Sequence, residues 1–89
     1  MPERRLVVKD PAGLHARPAA KFVQAASRYD SRIVIRQGDR EADAKSLIAI
    51  LGLTIRPSSE IVLAADGPDA DAALDGLMTE LAPYLDQPD

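Results

Sequence analysis

With 89 residues, 46% of them hydrophobic, the chain is sized for a single domain with a modest core. A formal charge of −3 with only 3% aromatic residues argues against a general nucleic-acid binder, and a single histidine without any cysteine removes the usual zinc ligand sets. No segment approaches a membrane span, and Met1-Pro2-Glu3-Arg4-Arg5 leads into no apolar run long enough for a secretory signal, so a cytoplasmic protein without metal or other cofactor is expected.

Leu6-Val7-Val8 reads as the first strand, closed by Asp10-Pro11. A helix should follow from about Ala16, with Pro18 in its first turn, where a missing N–H costs nothing. Its apolar stripe is Ala19, Phe22, Val23 and Ala26, at i, i+3, i+4 and i+7. Ile33 and Ile35 alternate with Arg32, Val34 and Arg36 as a second strand, and Gln37-Gly38-Asp39 turns it into a short third near Arg40 to Asp43. Ser46 opens a brief helix that ends at Gly52 or just after. Glu60 to Ala65 is β-rich, with Ile61, Leu63 and Ala65 on one face. Ala70, Ala73, Leu74, Leu77, Met78 and Leu81 then make the clearest helical stripe, with Pro83 marking its last turn or end. Asp86-Gln87-Pro88-Asp89 reads as a tail that frays. Single-faced strands in this order predict an α+β domain, an antiparallel sheet with its helices on one face.

The chemistry concentrates in Gly13-Leu14-His15-Ala16-Arg17-Pro18-Ala19-Ala20. The pattern places His15 at or beside the helix N-cap, where unpaired N–H groups and the positive end of the dipole suit a phosphate. Arg17 adds a guanidinium fork matched to phosphate oxygens. A nucleophilic imidazole must be neutral, and both neighbours disfavour a second positive charge. Once phosphorylated, the ring would carry a group that the same donors stabilise. Taken alone, a lone histidine beside a helix start is more often only a weak cap.

The octapeptide resembles the active-site signature of HPr, the histidine-containing phosphocarrier of the bacterial phosphoenolpyruvate-dependent sugar phosphotransferase system. Ala44-Lys45-Ser46-Leu47-Ile48 is similar to the family's second signature, and Ala64-Ala65-Asp66-Gly67-Pro68-Asp69 to the turn before its last helix. The three segments span nearly the whole chain at family-like separations. The resemblance implies a single open-faced β-sandwich, four strands under three helices in the order βαββαβα. It implies a monomeric carrier and not an enzyme, phosphorylated on Nδ1 of His15 by enzyme I and discharged to enzyme IIA domains. It also implies regulatory phosphorylation of Ser46 by an HPr serine kinase/phosphorylase.

The short helix after Ser46 is apolar on every side, so a sheet can bury only part of it. Ile50 and Leu53 fit the buried stripe, leaving Leu47, Ile48 and Leu51 outward, the opposite expectation being a fully buried helix. By resemblance these three, bordered by Ala16 and Ala20, form the docking face for enzyme I and enzyme IIA. Ala12, where many members carry a polar residue, departs from the family pattern. Gly52-Leu53-Thr54 and Arg56-Pro57-Ser58-Ser59 also depart from it, each lacking a customary glycine. The rival functions are a regulatory paralogue, nitrogen-linked or acting through Ser46, and a small phosphatase using His15 and Arg17.

Overall fold

The structure is a computed structural model and describes residues 2–86. In chain order it contains β1 (Glu3–Val8), α1 (Ala16–Ala26), β2 (Arg32–Gln37), β3 (Arg40–Asp43), α2 (Leu47–Gly52), β4 (Glu60–Asp66), α3 (Ala70–Glu80) and β5 (Leu85–Asp86). The strands form one antiparallel sheet in the order β3-β2-β4-β1-β5.

Register decides which face of the sheet is covered. Leu6 lies opposite Ile61, Ile33 opposite Ala65 and Ile35 opposite Leu63, so these side chains share one face. The helical stripes close over them: Phe22 and Ala19 from α1, and Ala73, Leu74 and Leu77 from α3, are all inaccessible to solvent. The residues between them point the other way, onto a face that no helix covers among the described residues. There Arg36 bonds Glu3 at 2.8 Å and Glu41 at 3.1 Å, and Arg5 bonds Glu60. Val34 and Ala64 face each other on this side and are nonetheless buried.

The fold class is the one expected, but among the described residues the sheet has five strands where the sequence suggested four. β5 pairs Leu85 with Val8 and Asp86 with Val7, and Lys9 N–H donates to the Tyr84 carbonyl at 2.9 Å. Asp86 therefore belongs to the sheet and not to a frayed tail; residues 87–89 of that expected tail lie outside the described residues. Two pairs leave no periodicity to read, and their partner is β1, at the other end of the sequence. β1 itself begins at Glu3, earlier than the apolar triplet, because Glu3, Arg4 and Arg5 pair with Ala64, Leu63 and Val62 of β4.

A polar latch ties the start of β2 to the start of α3. Asp69, the N-cap of α3, accepts the Asp30 N–H on Oδ2 and the Ser31 N–H on Oδ1, both at 2.9 Å. The Ser31 hydroxyl also donates to Asp69, and Gly67 leaves Ser31 room to approach. The Ser31 hydroxyl, followed by the Asp30 N–H, holds the Asp69 carboxyl below its ordinary value of 3.8. A carboxyl depressed in the folded state contributes stability above its unfolded value and loses it as pH falls through the folded one. Melting temperature should therefore drop below about pH 4 more steeply in the native protein than in Asp69→Asn, which lacks the titrating group. Parallel melting curves for the two proteins from pH 7 downward would contradict this.

Candidate functional site

Asp10 organises the approach to α1. Its Oδ1 accepts the Ala12 N–H at 2.8 Å, and its carbonyl accepts the Gly13 N–H at 2.9 Å. This side-chain-stabilised turn is one that aspartate favours. It feeds Gly13 into a left-handed conformation, φ 74°, against a second loop. A Cβ at Gly13 would stand 2.5 Å from the Ile55 carbonyl oxygen and 3.1 Å from Arg56 Cα. The Leu14 N–H donates to that same Ile55 carbonyl at 3.0 Å, and the Leu14 side chain is buried. His15 is thereby set at the helix start by contacts on both sides.

His15 is the N-cap of α1, as its position before Ala16 predicted, with extended backbone and no side-chain capping bond. Its carbonyl accepts the Ala19 N–H at 3.0 Å, the first bond of the helix. Pro18 has no N–H, so the donors left open beside the histidine are those of Ala16 and Arg17. The ring is 44% exposed, and Arg17 is exposed without an ion-pair partner among the described residues. One feature was missed: Asp10 Oδ2 lies 4.0 Å from His15 Nε2. A carboxylate therefore stands near the ring on its Nε2 side. Asp-Pro-Ala-Gly carried the signal, since aspartate opening a turn tends to bond the backbone two residues on.

Ser46 caps α2, its hydroxyl accepting the Ala49 N–H at 3.2 Å. Ile50 is fully buried and Leu53 nearly so, while Leu47 and Leu51 are 37% and 40% exposed and Ile48 86% exposed. The outward apolar group is thus the one expected. α1 packs against α2, with Ala16 exposed and Ala20 half-buried. Beyond α2, the two segments without the customary glycine keep glycine-like backbone: Thr54 has φ 52° and Ser58 φ 66°. Such angles are uncommon for any residue with a side chain and least comfortable for a β-branched one.

Residues 2–82 match the model of the PTS HPr component phosphorylation site. The chain is 36% identical over 81 residues to the phosphocarrier protein HPr of Lysinibacillus sphaericus, a match covering 91% of this chain and 92% of that one. It is 41% identical over 75 residues to the phosphocarrier protein NPr of Shewanella violacea, covering 84% and 82%. The structure superposes with TM-score 0.89 and 30% identity on the histidine-containing phosphocarrier protein of a Mycoplasma, covering 92% and 93% of the two chains. A multiphosphoryl transfer protein of Xanthomonas campestris is matched at 45% identity over 72% of this chain, which spans only 8% of that protein's length.

Proposed function

The chain belongs to the HPr family of phosphotransferase-system phosphocarriers, and on that footing we propose that it relays a phosphoryl group through a transient phosphohistidine at His15. The reading rests on His15 as an exposed N-cap whose ring makes no capping bond, beside two N–H donors and an Arg17 that have no partner among the described residues. The proposed donor is enzyme I charged from phosphoenolpyruvate, and the acceptors are enzyme IIA domains.

In the charging step the Nδ1 lone pair of neutral His15 attacks phosphorus on the donor's phosphohistidine. The P–N bond to the donor breaks as the new one forms, and the donor imidazole leaves with the electron pair. The Ala16 and Arg17 N–H groups and the Arg17 guanidinium stabilise the equatorial oxygens in transfer and the dianion afterwards. Discharge is the same step in reverse, onto an enzyme IIA histidine. The protein acts stoichiometrically, as a cytoplasmic monomer, with catalysis shared between it and each partner. Uptake of phosphate from phosphoenolpyruvate and enzyme I, compared between the native protein and His15→Ala, is the direct test.

Leu47, Ile48 and Leu51, with Ala16 and Ala20 beside them, are the proposed docking face. Ile48→Asp should leave the melting temperature within about 2–4 °C, because a residue this exposed has little to lose in folding (about ±0.5 kcal/mol). It should raise KM for phosphorylation by enzyme I, since it puts a charge where apolar surface must be desolvated. A large fall in stability with unchanged KM would remove this helix from the interface. Phosphorylation of Ser46 by an HPr serine kinase/phosphorylase is the proposed control: the hydroxyl sits at the N-terminus of α2, and a phosphate there would put negative charge on the docking face. A relative named NPr, matched at 41% identity, motivates a second reading, service in a regulatory branch. Comparing phosphorylation rates by sugar-branch and nitrogen-branch enzyme I would separate the two.

A further inference from the structure

We infer that Arg56 is a second guanidinium that holds the phosphoryl group on His15, facing Arg17 across it from the neighbouring loop. The inference rests on the carrier reading above and adds a residue to that site. Its first support is position. The Ile55–Arg56 segment lies backbone to backbone on Gly13–Leu14, through the Leu14 N–H bond to Ile55 and the close approach of Arg56 Cα to Gly13. His15 is two residues further along, at most about 7 Å of chain, a distance an extended arginine side chain covers.

The second support is that the loop is fixed. Val8 N–H donates to the Ser59 carbonyl at 2.9 Å, Ser58 N–H donates to the Val8 carbonyl at 2.7 Å, and Ser59 N–H donates to the Arg56 carbonyl at 3.2 Å. Pro57 restricts the Arg56 backbone to extended geometry. Thr54 and Ser58 hold left-handed angles on either side, and strain of that kind persists where the surrounding structure fixes a functional geometry.

The third support is that the Arg56 side chain is uncommitted. Arg5, Arg28 and Arg36 bond carboxylates, while Arg40 and Lys45 bond backbone carbonyls. Arg56 is exposed, and its guanidinium has no ion-pair or hydrogen-bond partner among the described residues. Of the other cations without partners besides Arg17, Lys21 stands one turn further along α1. Lys9 lines the groove bounded by Met78 and Leu85, towards α3.

Charge supplies the reason for a second cation. Asp10 places a carboxylate 4.0 Å from Nε2, and phosphorylation adds a dianion on the same ring. Ala12 brings no polar side chain to the loop. Arg17 alone would face both negative groups, whereas Arg56 balances them from the other side.

Phosphoramidate tests this without a partner protein, since its P–N bond breaks, ammonia leaves and a bond to the imidazole forms. In the native protein, phosphorylation at His15 should move the Arg56 Nε–H signal in nitrogen-edited NMR. Arg56→Ala and Arg56→Gln should accept the group more slowly, roughly tenfold, a modest share of what a lost charge-stabilising donor costs in a closed site. Their melting temperatures should stay native, and Arg56→Lys should recover part of the rate. An unmoved Arg56 signal and unchanged rates, with His15 phosphorylated, would overturn the proposal and leave the carrier reading standing. Slowing seen only with enzyme I, and erased by salt, would likewise overturn it and assign Arg56 to partner docking. A native protein that takes no phosphoryl group from either donor would end the carrier reading and this proposal together.

Discussion

Incubated with enzyme I and phosphoenolpyruvate, the native protein should take up one acid-labile phosphoryl group per chain, and His15→Ala should take up none. The chain has a single histidine, so no second imidazole can substitute for it. Stable labelling of His15→Ala would sink the carrier role outright. Arg17→Ala should still be labelled, because the role proposed for Arg17 is to stabilise charge and not to form the bond. Transfer should slow by roughly one to three orders of magnitude, the range for loss of a preorganised charge-stabilising donor. Arg17→Lys should restore only part of that rate, since an ammonium cannot make the bidentate contact. Native transfer rates in Arg17→Ala would remove it from the site.

Gly13→Ala should cost both stability and transfer, through a residue that never touches phosphate. The left-handed backbone alone disfavours a side chain by about 1–2 kcal/mol. The new methyl would also stand 2.5 Å from the Ile55 oxygen, so the two loops must separate. Separation breaks the bond from Leu14 to Ile55 and displaces His15, which follows directly. A small misplacement of a reacting group can cost on the order of a hundredfold in rate. Chemical denaturation and enzyme I transfer assays would check the two effects; a native transfer rate in Gly13→Ala would show that the loop does not position the histidine.

What the sequence made legible was whatever a short window encodes. His15 and Ser46 as caps, the stripes on α1 and α3, and the outward trio on α2 are patterns of spacing, and each appears where the spacing puts it. The field at the histidine was only half legible. Its positive part comes from Arg17 and the helix start, adjacent in the chain, whereas the Asp10 carboxylate reaches the ring only through the turn that Gly13 completes. The contact between Gly13–Leu14 and Ile55–Arg56 joins residues some forty positions apart through backbone atoms, which carry no sequence signature. β5 escaped for the same reason, being defined by the strand it meets and not by its own two residues.

The charged start of β1 has a consequence for how the protein meets its own copies. Among the described residues β5 pairs with β1 at Val7 and Val8, and the stretch from Glu3 to Leu6 pairs with β4. An open row of backbone donors and acceptors invites a second chain to add itself to the sheet. Here that stretch bears Glu3, Arg4 and Arg5 in succession, and each is already tied: Glu3 to Arg36, Arg4 to Asp75 on α3, Arg5 to Glu60. An incoming apolar strand would have to lay its side chains beside these paired charges. The polar start of β1, weak as a strand signal, serves as a guard against aggregation, and apolar replacements at Arg4 and Arg5 would turn this border into a seam for self-association.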